Sequence, residues 1–177
     1  MTTLYTIGHS NKSLQDFIAL LQAYKIMHIV DVRTIPKSRK MPWFNQEKLK
    51  LTLRKEKITY IHMPKLGGLR HTNKQSINKA WINPSFRGFA DYMQTKEFYE
   101  GLKSLNQYIK GKKRVAIMCA EAVPWRCHRS LIADAEIVRH VSVLHIMSRT
   151  SSRAHELTSF AVVNKKKRPI QVYYPNK

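Results

Sequence analysis

The sequence is short of the residues that most often betray a function. It has two cysteines in 177 residues, Cys119 and Cys127. A small secreted scaffold held by disulfides carries more than that. Their spacing is not that of a zinc ribbon and no second ligand pair accompanies them, so no metal is expected. Long apolar runs are missing as well. None approaches the roughly 20 residues of a membrane helix. The first residues lack the basic stretch and apolar core of a secretory leader. The expectation is a cytoplasmic protein with no membrane partner. No internal repeat is present.

Acidic residues are the scarcest group relative to their counterparts, 11 against 32 Lys and Arg, a net charge of +21. Such a surface attracts polyanions and releases their counterions. The plain alternative is a charge that only keeps the protein soluble. Between Arg33 and Lys74 lie twelve basic residues and two acids, and the last fourteen residues hold five basics and no acid. The basic loop from Pro36 to Phe44 and the tail from Lys165 are expected to face solvent beside the functional rim. Trp43, Phe44, Trp81 and Trp125 fall in or near loops. Exposed, they would stack on bases; buried, they anchor those loops.

What is present is an alternation of short apolar strands and amphipathic helices. Leu4–Ile7, His28–Val32, Thr59–His62, Arg114–Met118 and Val143–Ile146 read as strands. Between them, Ser13 caps a helix carrying Leu14, Phe17, Ile18 and Leu21 inward. Asn45 opens a second helix with Leu49 and Leu53. Phe86 to Ile109 is helical with a break near Thr95, and Cys127 to His140 is helical again. This rhythm predicts a single α/β domain over residues 1–150, with a mainly parallel sheet of about five strands and helices on both faces. Residues 65–85 form a long excursion. Residues 151–177 form a basic extension that includes one edge strand near Pro169–Tyr174.

Ligands of open α/β sheets bind outside the carboxyl ends of the strands. Those ends are polar here. The first strand runs into Gly8, His9 and Ser10, the second into Asp31 and Arg33, the third into Gly67 and Gly68. The fourth runs into Cys119 and Glu121, and the helix after it opens with Arg126, Cys127, His128 and Arg129. Asp31 and Arg33 alternate with Val30 and Val32, so both point to one face. They and His9, Cys119 and Glu121 are expected around one concave site.

Each residue has a structural alternative. Cys119 stands where rhodanese-like and cysteine-phosphatase sites place their nucleophile. Six residues separate it from Arg126, one more than the phosphatase spacing, and the loop has no glycine to build an anion nest. It reads equally as a buried strand-end thiol. Cys127 near a helix start would have a lowered pKa, or packs under the loop. Glu121 among arginines is a general base or a ligand for a substrate edge, or a salt bridge to Arg126 or Arg129. Arg126, His128 and Arg129 at a helix start suit a phosphate. Glu121 is expected to matter more than either cysteine.

Together, Tyr5-Thr6-Ile7-Gly8-His9-Ser10, Asp31-Val32-Arg33, Leu66-Gly67-Gly68 and Cys119-Ala120-Glu121 through Cys127-His128-Arg129 resemble the domain of unknown function 488 family, over roughly residues 4–148. The resemblance implies a compact α/β fold whose motif residues gather in one place. It implies no reaction and no cofactor. Three functions remain. The first is binding or acting on a nucleotide or nucleic acid: Glu121 and Asp31 as acid–base groups, Arg33, Arg126 and Arg129 on phosphate, His9 orienting the substrate. The second is thiol chemistry at Cys119. The third is a non-catalytic nucleic-acid-binding module.

Overall fold

The computed structural model describes residues 2–176. Its elements are β1 (Thr3–Gly8), α1 (Leu14–Ala23), β2 (Ile26–Asp31), α2 (Gln46–Lys55), β3 (Thr59–His62), α3 (Pro84–Tyr92), α4 (Lys96–Ile109), β4 (Arg114–Cys119), α5 (Arg129–Ile137), β5 (Ser142–Ile146), β6 (Ser152–Ala154), β7 (Val162–Asn164) and β8 (Gln171–Tyr173). Ser13 accepts from the Asp16 amide, and Thr95 accepts from the Phe98 amide after the break that ends α3. Each cap satisfies an amide that a helix start would otherwise leave unpaired.

The main sheet has six strands in the order β3-β2-β4-β1-β5-β6. The first five are parallel, and β6 adds an antiparallel edge. Alternating strand residues feed two apolar layers. Ile29 and Ala116 pack with Phe17 and Leu21 of α1 and Leu49 and Leu53 of α2. Val30 and Ile117 pack with Phe89 of α3, Phe98 and Leu102 of α4 and Leu131 of α5. β2 leads on to β3 at one edge, whereas β4 leads across to β5 on the other side. The chain therefore departs in opposite directions from neighbouring strands β2 and β4, the point where such sheets open a crevice.

Three local expectations need correction. The helix after β4 begins at Arg129 rather than Cys127. A 3-10 turn over Pro124–Arg126 precedes it, the Cys127 amide is bound to the Pro124 carbonyl, and Cys127 itself is extended. The edge strand of the main sheet is β6, while Gln171–Tyr173 pairs with Val162–Asn164 in a separate hairpin. The basic turn Lys165–Arg168 does not sit beside the rim. Arg139 and Tyr99 bind the Ile170 carbonyl, and Pro169 shares a hollow with Thr2, His140 and Val141, which precede the strands at their amino ends. The turn is tied to the opposite end of the sheet. The chain then returns: Tyr174 is fully buried, and its hydroxyl donates to Asp134.

Two acids of α5 are buried, Asp134 and Glu136. Glu136 accepts from the Asn106 side-chain amide with one oxygen and, among the described residues, finds no partner for the other. Burial pushes its pKa up from 4.5 to about 7. The folded chain thus keeps a proton that the unfolded chain has released, so stability falls as pH rises between about 4.5 and about 7. A Glu136→Gln variant should be more stable than the wild type above pH ~7, by up to about 3 kcal/mol, and nearly equal near pH ~4. Thermal unfolding across that range measures it; a constant difference would show that the carboxyl is not the cause.

Candidate functional site

A cavity of about 360 Å³ opens at the carboxyl ends of β2 and β4. Its wall includes Arg33, Gly68, Cys119, Glu121, Arg126, Cys127 and His128, all singled out from the sequence, together with Thr34, Ile35, Lys37, Leu69 and Phe86. His9, Ser10, Asp31, Gly67 and Arg129 are near it and do not line it.

The residues behind the wall form two braces. In the first, Arg33 donates through Nε to both oxygens of Asp31 at 2.9 and 3.1 Å and through Nη2 to Oδ2 at 2.6 Å. Tyr60 donates its hydroxyl to the same Oδ2 at 2.6 Å. Asp31 is fully buried, with both oxygens occupied. Burial and the Asp31 charge push the Tyr60 phenol far up. Arg33 also donates to the Phe44 carbonyl and approaches His9 Nε2 at 3.4 Å. His9 stacks on Phe44 with ring centres 4.3 Å apart. Burial brings its pKa down to about 4, so at neutral pH the ring is uncharged and accepts from Arg33. The His9 and Ser10 amides bind the Cys119 and Ala120 carbonyls, which ties the ends of β1 and β4 together. Ser10 makes the turn at a positive φ of 46°.

The second brace is Arg129, which is 1% exposed. It donates to the Glu121 carbonyl at 2.6 Å, to Thr6 Oγ1 at 3.3 Å and to Cys127 Sγ at 3.4 Å. It is spent inside the protein, and Arg126 is the exposed cation of this segment. No ion pair among the described residues joins the Glu121 carboxylate to Arg126 or Arg129; Arg129 holds only its main chain. Gly8 is required here, because a Cβ on it would stand 1.7 Å from the Glu121 carbonyl oxygen.

The cavity floor is sulfur and imidazole. His128 Nε2 lies 3.0 and 3.1 Å from the carbonyls of Val32 and Leu66. Both are acceptors, so Nε2 carries a proton, and Nδ1 is placed to take the Cys127 proton, 3.7 Å from its Sγ. Gly68 makes room for that ring, since a Cβ there would be 2.5 Å from Nδ1. The two glycines of the third strand end therefore serve close packing, Gly67 against Thr34 and Gly68 against His128. Burial opposes ionisation of Cys127, but hydrogen bonds from Cys119 and His128 and the charges of the His128 ring that has taken its proton and of Arg129 outweigh it and hold this thiol well below its ordinary value. Cys119 moves the other way, raised by its hydrogen bond to Cys127 and by burial. The pair ionises at Cys127, with Cys119 as a protonated donor beside it.

One donor atom from each of Cys119, Cys127 and His128 lies within 4.8 Å of the others. The donor types suit a soft divalent cation. Arg129 counts against one, because its guanidinium already places a positive charge against the Cys127 sulfur. The arrangement suits a thiolate held by the protein better.

Sequence reasoning missed Thr6, Tyr60 and His145. The signal was a polar residue in an otherwise apolar strand, Thr6 in β1 and His145 in β5. Of the loop aromatics, Phe44 is buried, Trp43 and Trp81 are half-buried, and Trp125 is exposed with Arg153 over its ring.

Fold and site define an α/β protein with a cationic, thiol-floored crevice where the sheet changes direction. The chain belongs to the family described as Domain of unknown function DUF488, whose model matches residues 13–136. No curated protein and no solved structure matches it. Among the described residues, no helix is long and apolar enough to cross a membrane.

Proposed function

We propose that the protein is a group-transfer enzyme that attacks a small anionic substrate with the Cys127 sulfur. The observation that carries this is the convergence of His128 Nδ1 and Arg129 Nε on Cys127 Sγ in the floor of an open cavity. Arg129 offsets the negative charge of the sulfur, and His128 Nδ1 takes its proton. The thiolate forms a bond to the electrophilic atom of the substrate. The bond to the leaving group breaks, and that group departs with the electron pair and the proton from His128. Water then attacks the S-linked intermediate, gives its proton back to His128 and frees the thiolate. Arg126 and Lys37 at the wall meet the substrate's charge, and Ile35, Leu69 and Phe86 take an apolar portion. Glu121 borders the cavity, and among the described residues no side chain holds its carboxylate, so the sulfur is better equipped. A thiolate enzyme also suits a reducing cytoplasm.

Iodoacetamide labelling of the wild type, followed by peptide mass spectrometry, tests the reading. Cys127 should be labelled first, with a rate midpoint below the ordinary thiol pKa of about 8.5. Equal labelling of both cysteines with an ordinary midpoint would remove it.

A second reading makes the anion part of a nucleotide or nucleic acid. It is favoured by the exposed Lys37, Arg39 and Lys40 on the loop that forms one cavity wall. A short oligonucleotide should then bind at low salt, with affinity falling by about three orders of magnitude between 50 and 200 mM salt if roughly six phosphates are contacted. Salt-insensitive binding, or none, would confine the protein to small ligands.

A further inference from the structure

Behind Arg129 runs a buried chain of polar side chains that the thiolate chemistry does not use directly. Thr6 Oγ1 lies 2.7 Å from His145 Nδ1 across the β1–β5 register. His145 Nε2 lies 3.0 Å from His155 Nδ1, and His155 Nε2 lies 2.8 Å from Asp134 Oδ1. Asp134 is fully buried and also receives the Thr158 amide and the Tyr174 hydroxyl.

With one proton on each imidazole, the contacts run in a single direction. Arg129 can only donate, so Thr6 accepts from it and turns its own proton to His145 Nδ1. His145 then carries its proton on Nε2 and gives it to His155 Nδ1. His155 carries its proton on Nε2 and gives it to the Asp134 carboxylate. Burial, the largest cause, and the neighbouring cationic groups bring the His145 pKa down to about 3, in keeping with a neutral ring. Every donor points from the arginine toward the acid. Buried chains of this kind fix the orientation of their members.

We propose that Thr6, His145, His155 and Asp134 are positioning residues, a chain that locks the Arg129 guanidinium against the Cys127 sulfur and so keeps that sulfur reactive. The inference rests on the thiolate reading and extends it outside the segment that matches the family. Thr6 precedes residues 13–136, and His145, His155 and Tyr174 follow them. The final segment of the chain is thus part of the site, because it contributes His155 and the Tyr174 lock on Asp134.

Cys127 is faced by Cys119 from β4, by His128 and Arg129 from the start of α5, and by His145 from β5. Arg33, Lys37, Glu121 and Arg126 line the same cavity. The test varies none of these except through the chain. Full-length protein is labelled with iodoacetamide at a series of pH values, and Cys127 is followed by mass spectrometry. Thr6→Val removes the hydroxyl at nearly constant shape. It should raise the Cys127 midpoint and slow labelling about tenfold below it for each unit of rise. Thr6→Ser should return the rate to within about twofold, and His155→Ala should act as Thr6→Val does. Folded Thr6→Val and His155→Ala proteins that label like the wild type would overturn the proposal while leaving the thiolate reading intact. An ordinary midpoint in the wild type would end both. Nitrogen NMR of the wild type gives a check that needs no variant: His145 must carry its proton on Nε2, and the other tautomer would refute the chain.

Discussion

Cys127→Ser should lose essentially all rapid alkylation near pH 6, a fall of at least about a hundredfold in total thiol reactivity. Serine keeps the size of the side chain and offers no thiolate. The remaining thiol, Cys119, does not take over. It is released from the neighbour that most raises its pKa, yet burial still disfavours its ionised form. The reciprocal variant, Cys119→Ser, should behave differently. Its hydroxyl replaces the thiol as a donor to the Cys127 sulfur, and His128 and Arg129 stay in place. Reactivity at Cys127 should therefore survive within a few-fold. Turnover, once a substrate is found, should follow the same order. If Cys119→Ser is silent and Cys127→Ser is active, the nucleophile has been placed on the wrong sulfur.

The largest expected loss of stability belongs to Asp31→Asn. The change keeps the shape of the side chain and removes the counter-charge of Arg33, which is 5% exposed. The guanidinium would keep only uncharged acceptors: the amide oxygen of the new side chain, the Phe44 carbonyl and the His9 ring. Breaking a buried pair in this way costs about 3–5 kcal/mol, a large part of the roughly 5–15 kcal/mol that holds a domain together. Denaturant unfolding should show it. The paired change, Asp31→Leu with Arg33→Met, should cost less than Asp31→Asn alone, because no charge is stranded. An Asp31→Asn protein within about 1 kcal/mol of wild type would mean that water reaches Arg33 in the folded state.

Much of the sheet could be read in advance, because its strands are apolar at a period that only buried strands need. The helix start at Ser13 was legible from capping chemistry, and the break near Thr95 from the helical pattern. So was the common face of Asp31 and Arg33. The start of α5 was not. The periodicity runs back to Cys127, and only the Pro124 carbonyl's hold on the Cys127 amide shows that the first residues are a turn. The tail was opaque for another reason. Its strands are three residues long, too short for alternation to show, and it is placed by contacts with residues far back in the chain, among them Arg139 and Tyr99 on the Ile170 carbonyl and Gln94 on that of Val172. The candidate site divides in the same way. Its members were visible as polar residues at strand ends. Their pairings were not, since Arg129 meets Thr6 across 123 positions and His128 meets Val32 across 96. No spacing rule reaches that far.

Gly8 has no side chain and takes no part in any reaction, yet its bare Cα sets where the Glu121 carbonyl stands. That carbonyl is one of three points from which the Arg129 guanidinium hangs. A methyl group on the first strand would displace the carbonyl, tilt the guanidinium and alter the charge felt by a sulfur beyond the fourth strand. The chemistry of the thiol is thus calibrated from a distance by an empty position, and sequence drift there would detune the protein while every polar group of its site remained in place.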